Sequence, residues 1–193
     1  MDAEHALLSW IDASRDDLVR FLRELVAASS ENPPGDERRT AERVRREMRR
    51  FGFGEPECHR LDDKRPNLIY RLPGNDPRGM ATVFNAHMDT KPAGDPALWP
   101  ADPFAGEIRD GTMIGLGACD MKGALAAMVY AFAAVRRLGA ALPGTLELVL
   151  TADEEAGSKY GAAYLARSGL VKADYAILGE PSGVRTDWET ICI

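Results

Sequence analysis

The stretch that decides the fold runs from Thr145 to Gly157 and reads TLELVLTADEEAG. Its first part, Thr145–Leu150, is a short and mostly apolar run, which is typical of a buried β-strand. Three acidic residues follow almost directly, at positions 153, 154 and 155. In an open α/β sheet, ligands bind in the crevice beyond the carboxyl ends of the strands. The pattern therefore predicts a core strand that delivers carboxylates to a functional edge of a sheet.

Three further clusters of potential ligands are placed in a similar way, namely His87-Met88-Asp89, Asp120 and Glu180. Strands are expected at Ala81–Asn85 and Ala173–Leu178, immediately ahead of the first and the last of these clusters. Side chains that are far apart in sequence could therefore converge on one spot. Several carboxylates packed together repel each other unless a cation lies between them, and a divalent metal ion fills that role best. A hydrolytic metal site is the first hypothesis.

The remaining pattern predicts the layers around this edge. Helices are expected at Leu7–Ala28, Arg38–Phe51, Met121–Leu138 and Lys159–Ser168, further strands at Glu57–Leu61 and Asn67–Leu72, and a hairpin at Glu107–Gly115. Strands alternate with helices in the second half of the chain, which predicts an α/β fold with a mostly parallel central sheet and helices on both faces. A chain of 193 residues is long enough for one such core.

Composition narrows the function classes. The net charge of −6 argues against nucleic-acid or anionic-membrane partners, and the arginines of Arg38–Arg50 are expected on the solvated face of an amphipathic helix. Three scattered cysteines offer neither a disulfide framework nor a thiolate zinc site. No signal peptide is apparent, and no apolar run approaches the roughly 20 residues of a bilayer span. We therefore expect a cytoplasmic protein with a small-molecule substrate.

Taken singly, each candidate residue also has a structural explanation. His87 could be a hydrogen-bonded interior histidine, Asp120 could cap a helix, and Glu154, Glu155 and Glu180 could be solvated loop charges. Their combination favours a site, because two adjacent glutamates can supply one metal ligand and one general base. Nitrogen and oxygen donors suit Zn²⁺, with Co²⁺ or Mn²⁺ as substitutes. A carboxylate-rich Mg²⁺ phosphohydrolase is a weaker alternative, since no phosphate-binding glycine loop accompanies the acids.

The same residues carry a family resemblance. The segment Asn85-Ala86-His87-Met88-Asp89-Thr90 resembles the histidine-x-aspartate motif of the M20 metallopeptidase and deacylase family, in particular its acetylornithine deacetylase and succinyl-diaminopimelate desuccinylase-like members. The likeness continues in the family's order through Asn32–Glu37, Trp99–Phe104, Gly106–Gly111, Gly117–Gly123, Thr151–Gly157 and Gly179–Ser182. The resemblance implies a zinc-exopeptidase-like fold and a site for two zinc ions. By this resemblance Asp120 would bridge both ions, His87 and Glu180 would complete the first, and Glu155 would bind the second.

The resemblance also implies an activity. Glu154 would be the general base, taking a proton from a water that two zinc ions activate and returning it to the leaving amine. Asp89 would hold the imidazole of His87 from behind, and the peptide bond between Asp120 and Met121 would be cis. The reaction would be hydrolysis of an amide bond in an N-acyl amino acid or a small peptide.

One departure from the family pattern produces an alternative. The family's final histidine ligand and its lid and dimerisation domain lie further toward the C-terminus, and neither His5 nor His59 suits the missing position. The 193 residues are therefore expected to be the N-terminal portion of a catalytic domain, inactive alone, with a homodimer possible for the full-length parent. The alternative is a non-catalytic fragment that binds at most one metal ion.

Overall fold

A computed structural model describes residues 3–76, 78–139 and 141–181. Within these ranges the α-helices are α1 (Ala3–Ala13), α2 (Arg15–Ala27), α3 (Arg38–Arg50), α4 (Gly123–Arg137) and α5 (Ala162–Arg167). The strands are β1 (Glu57–His59), β2 (Asn67–Leu72), β3 (Thr82–His87), β4 (Glu107–Arg109), β5 (Thr112–Ile114), β6 (Leu146–Thr151) and β7 (Tyr175–Leu178). Short 3₁₀ turns occur at Pro96–Leu98 and Glu154–Ala156.

Five of the strands form one mixed sheet in the order β1-β2-β6-β3-β7, and β4 and β5 form a separate hairpin. β6 lies at the centre with every residue buried. It pairs with β3 in parallel and with β2 antiparallel, and β7 extends the parallel part beyond β3. The predicted α/β fold is confirmed, and β2 alone runs against the other strands.

Helices cover both faces of this sheet, as the alternation of side chains along the strands requires. On one face, Leu146, Leu148 and Leu150 of β6 join a large core that receives apolar side chains from α2, α3 and α4, with Trp10 of α1 packed against it. On the other face, Val149 packs in a smaller cluster with Leu165 of α5. The site described below therefore rests on a sheet whose central strand is fixed from both sides.

The first helix differs from the sequence prediction. The expected single helix Leu7–Ala28 is divided into α1 and α2 at Ser14, whose backbone is not helical in ψ. The Ser14 hydroxyl donates a hydrogen bond to the Trp10 carbonyl at 2.8 Å. Such a bond competes with the regular helical ladder, and Asp16 and Asp17 then suit the first turn of a new helix. The spacing of apolar residues alone does not reveal this competition, so it does not predict the break at Ser14.

The helix after Asp120 also begins later than predicted. α4 starts at Gly123 and not at Met121, because Asp120 and Met121 both have non-helical backbone angles. The peptide bond between these two residues is cis, as the resemblance implied. β1 and α5 are shorter than the segments Glu57–Leu61 and Lys159–Ser168 that the pattern indicated.

One expectation about apolar runs needs correction. Residues Ala118–Arg137 form a 20-residue stretch with a mean hydropathy of 1.4, long and apolar enough by composition to cross a bilayer. Its burial explains that character, because α4 contacts α1, α2, α3, β3 and β6.

Cys58 and Cys119 are free thiols, and Cys192 lies outside the described residues.

The sheet topology positions the candidate site. β3, β6 and β7 run in the same direction, so their carboxyl ends lie along one edge of the sheet. The register pairs His87 with Thr151 and Asn85 with Leu178. The segments that leave these three strands carry His87-Met88-Asp89, the acidic residues 153–155 and Glu180. Asp120 departs from the expected pattern, because it follows β5 of the separate hairpin and not a strand of this sheet.

Candidate metal centre

His87 is the last residue of β3 and is only 1% exposed. Its Nδ1 atom lies 2.9 Å from the main-chain oxygen of Asp89 and 3.6 Å from the nearer carboxylate oxygen of the same residue. The shorter contact is therefore with the main chain, to which an Nδ1 proton would be donated. That tautomer leaves the Nε2 lone pair facing the Oδ1 atom of Asp120 at 3.1 Å. A lone pair and a carboxylate at this distance call for a proton or a cation between them.

Asp120 reaches His87 from a tight turn that precedes α4. Gly117 begins this turn with φ of +73°, and a Cβ atom there would lie 2.4 Å from the Thr90 methyl carbon. Only glycine satisfies both the left-handed backbone and this close approach. Asp120 has an extended backbone (φ −115°, ψ 97°), which aims its half-exposed side chain toward the sheet edge.

Carboxylates from two other segments complete the group. The Glu180 Oε1 atom lies 3.8 Å from His87 Nε2, and the Glu154 Oε2 atom lies 4.0 Å from it. Ligand atoms of His87, Asp120 and Glu180 all lie within 4.8 Å of one another, and so do those of His87, Glu154 and Glu155. The structure thus brings the five residues into two overlapping groups that share the imidazole.

The electrostatics of the group favour a bound cation. Partial burial raises the pKa of Glu154, and so do the nearby charges of Glu155, Asp89 and Asp120. Partial burial also raises the pKa of Glu180, and the nearby charges of Asp120, Glu154 and Glu155 add to the rise. Metal–ligand bonds of about 2.0–2.2 Å place two ligands of one ion at most about 4 Å apart, which the distances from His87 to Asp120 and Glu180 satisfy. The donor set and its spacing therefore fit a divalent ion such as Zn²⁺.

Asp89 contributes differently from the expected contact with the imidazole. Its carboxylate is fully buried and accepts the main-chain N–H groups of Glu154 and Glu155, one on each oxygen, both at 3.1 Å. It also accepts the side-chain amide of Asn32 at 2.8 Å. The carboxylate of Asp89 thus fixes the turn that presents the two glutamates, while its main-chain oxygen orients His87. Its catalytic role stays a prediction.

Glu155 has a cationic neighbour within the described chain. The Lys91 ammonium lies 3.0 Å from the Glu155 Oε2 atom and donates to the main-chain oxygen of the same residue. Lys91 is mostly exposed, whereas the Glu155 side chain is 9% exposed. This ion pair neutralises the carboxylate that the resemblance assigns to the second ion.

Lys122 is a buried lysine in the turn that carries Asp120, and nothing in its local sequence indicates its burial. It is 1% exposed, and its ammonium donates to the main-chain oxygens of Leu25 and Ala28, both at 2.9 Å. These carbonyls lie at the C-terminal end of α2, where the helix dipole favours positive charge. Burial lowers the pKa of Lys122 to about 7. The contact ties the turn that carries Asp120 to a core helix.

A buried polar network around Arg65 lies beneath the turn that carries Glu154 and Glu155. The Arg65 guanidinium donates to Glu37 at 2.9 Å and to the Asn32 side-chain oxygen at 3.1 Å, and it lies 3.3 Å from an Asp153 oxygen. The Glu37 side chain is fully buried, and its Oε2 atom has no hydrogen-bond partner among the residues that the structure describes. Nothing in the local pattern around Arg65 distinguishes it from a surface arginine.

Glu37 should make the stability of the protein depend on pH. Burial raises its pKa from an ordinary value of 4.5 to about 7, and the charge of Asp89 adds to the rise although Arg65 opposes it. The folded state therefore holds this proton more tightly than the unfolded state. The resulting stability is fully present below about pH 4.5 and is lost as the pH rises through about 7. In Glu37→Gln, the melting temperature should fall less between about pH 5 and about pH 8 than in the wild type.

Thermal unfolding of metal-free protein at both pH values measures this difference. Glu42→Gln is the matched control, because Glu42 is exposed on α3 and pairs with Arg49 at the surface. Its pH dependence should follow that of the wild type. Equal pH dependence in Glu37→Gln and the wild type would contradict the assignment of the titrating group.

Comparisons with known proteins bear on this arrangement. Residues 83–190 match the family model for peptidase family M20/M25/M40. Succinyl-diaminopimelate desuccinylase from Rhodospirillum centenum is 34% identical over 179 residues, covering 88% of this chain and 44% of that protein. Succinyl-diaminopimelate desuccinylase 2 from Ruegeria sp. is 35% identical over 141 residues, covering 71% of this chain and 35% of that protein.

A similar fold occurs among solved structures. Human carnosine dipeptidase 1 superposes with a TM-score of 0.68 at 26% identity, covering 90% of this chain and 40% of that one. The chain therefore spans less than half the length of each of these three proteins.

Proposed function

Because the chain belongs to peptidase family M20/M25/M40, we propose that it is the N-terminal portion of the catalytic domain of a metal-dependent amidohydrolase. The proposed reaction is hydrolysis of an amide bond in an N-acyl amino acid or a small peptide. One observation carries the proposal. Potential ligand atoms of His87, Asp120 and Glu180, which come from three separate segments, lie within 4.8 Å of one another. The Glu154 carboxylate lies beside them, 4.0 Å from His87 Nε2.

The residues divide the proposed chemistry between them. His87, Asp120 and Glu180 would hold a first Zn²⁺ ion, with Co²⁺ or Mn²⁺ as substitutes. The family resemblance assigns Asp120 and Glu155 to a second ion, and the structure places Glu155 in a group with His87 and Glu154. Bound there, the ions would lower the pKa of water and polarise the scissile carbonyl. Glu154 has a raised pKa, so its carboxylate can take up a proton from the attacking water and hand it to the leaving amine.

The substrate class rests on the relatives. Their names describe the removal of a succinyl group from diaminopimelate and the cleavage of a dipeptide. Both reactions break an amide bond next to an amino-acid carboxylate. We therefore assign a small N-acyl amino acid or peptide as substrate. A cytoplasmic location and a homodimer of the intact protein belong to the same proposal.

Removal of the metal should abolish the activity. Dialysis of the intact protein that contains these 193 residues against a chelator is expected to stop hydrolysis of N-succinyl, N-acetyl and dipeptide substrates. Addition of Zn²⁺, Co²⁺ or Mn²⁺ should restore it, and two ions per chain should accompany full activity. Hydrolysis that continues at the same rate in thoroughly metal-free protein would contradict the proposal.

A second candidate is a chain that binds at most one ion and does not catalyse. The ion pair between Lys91 and Glu155 favours it, because the ammonium already neutralises the carboxylate needed for a second ion. Metal stoichiometry separates the two candidates. A single ion per chain together with no turnover would support the second.

A further inference from the structure

The backbone of the turn that carries Glu154 has a specific set of constraints. Asp153 has φ of +63°, a left-handed conformation that is uncommon for a residue with a side chain. The 3₁₀ turn Glu154–Ala156 follows it, and the main-chain N–H groups of Glu154 and Glu155 both donate hydrogen bonds to the carboxylate of Asp89. The direction in which Glu154 points therefore depends on how firmly Asp153 and Asp89 are held.

Asn32 connects these two carboxylates. Its side-chain N–H₂ group donates to Asp89 Oδ2 at 2.8 Å and to Asp153 Oδ1 at 3.1 Å. The other Asp153 oxygen accepts the main-chain N–H of Tyr160 at 3.1 Å. Asn32, Asp89 and Asp153 are each at most 3% exposed. The amide thus bridges two buried anions that would otherwise repel each other.

Arg65 supplies the positive charge of this network. Its guanidinium forms ion pairs with Glu37 at 2.9 Å and with Asp153 at 3.3 Å. It also donates to the Asn32 side-chain oxygen at 3.1 Å, which fixes the orientation of the bridging amide. The flat, forked shape of a guanidinium allows it to serve these partners at once, which a lysine cannot do.

The loop before α3 is shaped around the guanidinium. Gly35 has φ of +76°, and a Cβ atom there would lie only 1.9 Å from the Arg65 Cζ atom. The main-chain oxygen of Pro34 accepts a hydrogen bond from Arg65 at 2.9 Å. Arg65 itself is 9% exposed. The Arg65 guanidinium is therefore closely packed against the loop in the protein interior and does not form a surface ion pair.

We propose that Asn32 and Arg65 are positioning residues for Glu154: they hold the carboxylates of Asp153 and Asp89, which fix the turn that presents the base. This inference rests on the proposed function for its catalytic consequence. The metal ligands His87, Asp120 and Glu180 lie outside the turn. Loss of the network should therefore displace the base while leaving the first ion bound. A displacement of about 1 Å in a catalytic group can lower a rate about 100-fold.

The first part of the test does not depend on activity. In the intact protein, Asn32→Ala should speed amide hydrogen exchange at Glu154 and Glu155 by about 10-fold or more. The Asp89 carboxylate that accepts both N–H groups would no longer be held in place by the Asn32 amide. Exchange at Val149 in the sheet core should not change. Unaltered exchange at Glu154 and Glu155 would overturn the proposal, whatever the activity.

The second part measures kcat, KM and Zn²⁺ affinity. Asn32→Ala and Arg65→Met should each lower kcat about 100-fold, with KM and first-ion affinity nearly unchanged, and the double variant should lose little more than either single variant. Arg65→Lys should recover part of the loss, because it keeps the charge without the fork. Arg60→Met, which removes an exposed arginine paired with Asp63, is the control and should behave as the wild type.

Three results would count against the proposal. They are an unchanged kcat in folded variants, additive losses in the double variant, or a loss of kcat that only follows a loss of bound metal. If Arg65→Met does not fold, Asn32→Ala decides the question, because it removes no charge. A wild-type protein that hydrolyses no acyl or peptide substrate would refute the proposed function, while the exchange result would still decide the positioning role.

Discussion

Replacing Glu154 by glutamine in the intact protein is expected to lower kcat by about 10²–10⁴-fold. Glutamine keeps the size of the side chain but cannot take up a proton. Glu154 lies 4.0 Å from the imidazole shared by both ligand groups, and its side chain is 45% exposed and accessible to water. The first ion should stay bound, because the ligand group of His87, Asp120 and Glu180 does not include Glu154.

Glu107→Gln is the matched control for this variant. Glu107 lies in the β4–β5 hairpin, is similarly exposed at 42%, and pairs only with Arg109 among the described residues. Steady-state kinetics should therefore show a lower kcat in Glu154→Gln than in Glu107→Gln, while metal analysis should show the first ion bound in both variants. A Glu154→Gln enzyme with wild-type kcat would show that another group acts as the base.

Asp120→Asn is expected to have the largest effect on metal binding. The Asp120 carboxylate belongs to the first ligand group and lies 3.1 Å from His87 Nε2. Asparagine preserves the shape of the turn but replaces a negative ligand by a neutral one. Removing a partner outside the ligand shell typically costs 10–100-fold in metal affinity, so loss of a direct ligand should cost more than about 100-fold.

Equilibrium Zn²⁺ titration of wild type and variant measures this loss. Asp63→Asn removes the same charge from an exposed side chain that pairs with Arg60, and it should leave the affinity unchanged. Circular dichroism should show that the Asp120→Asn chain keeps its fold. Equal affinity in Asp120→Asn and the wild type would remove Asp120 from the ligand set.

Much of the fold could be predicted from the sequence because the deciding segments are uniform in character. β6 is a short and fully buried run, β3 is a short run with half of its residues buried, and the direction of these strands places the acidic residues that follow them. The helical periodicity of α3 and α4 required no tertiary information. The break at Ser14 was not predictable in this way, because it depends on one side chain competing for a main-chain oxygen.

The sequence likewise predicts some features of the candidate site and not others. Motif residues such as His87 and Asp120 could be named from the sequence, but their approach to 3.1 Å depends on the turn at Gly117 and on sheet register. The contacts of Arg65 and Asn32 could not be predicted from the sequence, because their partners lie as many as 121 positions away in the chain. No local periodicity or spacing records such a contact.

The central claim is that imidazole and carboxylate groups from three separate segments of the chain bind one divalent ion. Anomalous diffraction from crystals of the protein soaked in Zn²⁺ tests it most directly. We expect a peak at bonding distance, about 2.0–2.2 Å, from His87 Nε2 and from carboxylate oxygens of Asp120 and Glu180. A strong peak bound elsewhere, with none among these three residues, would contradict the account.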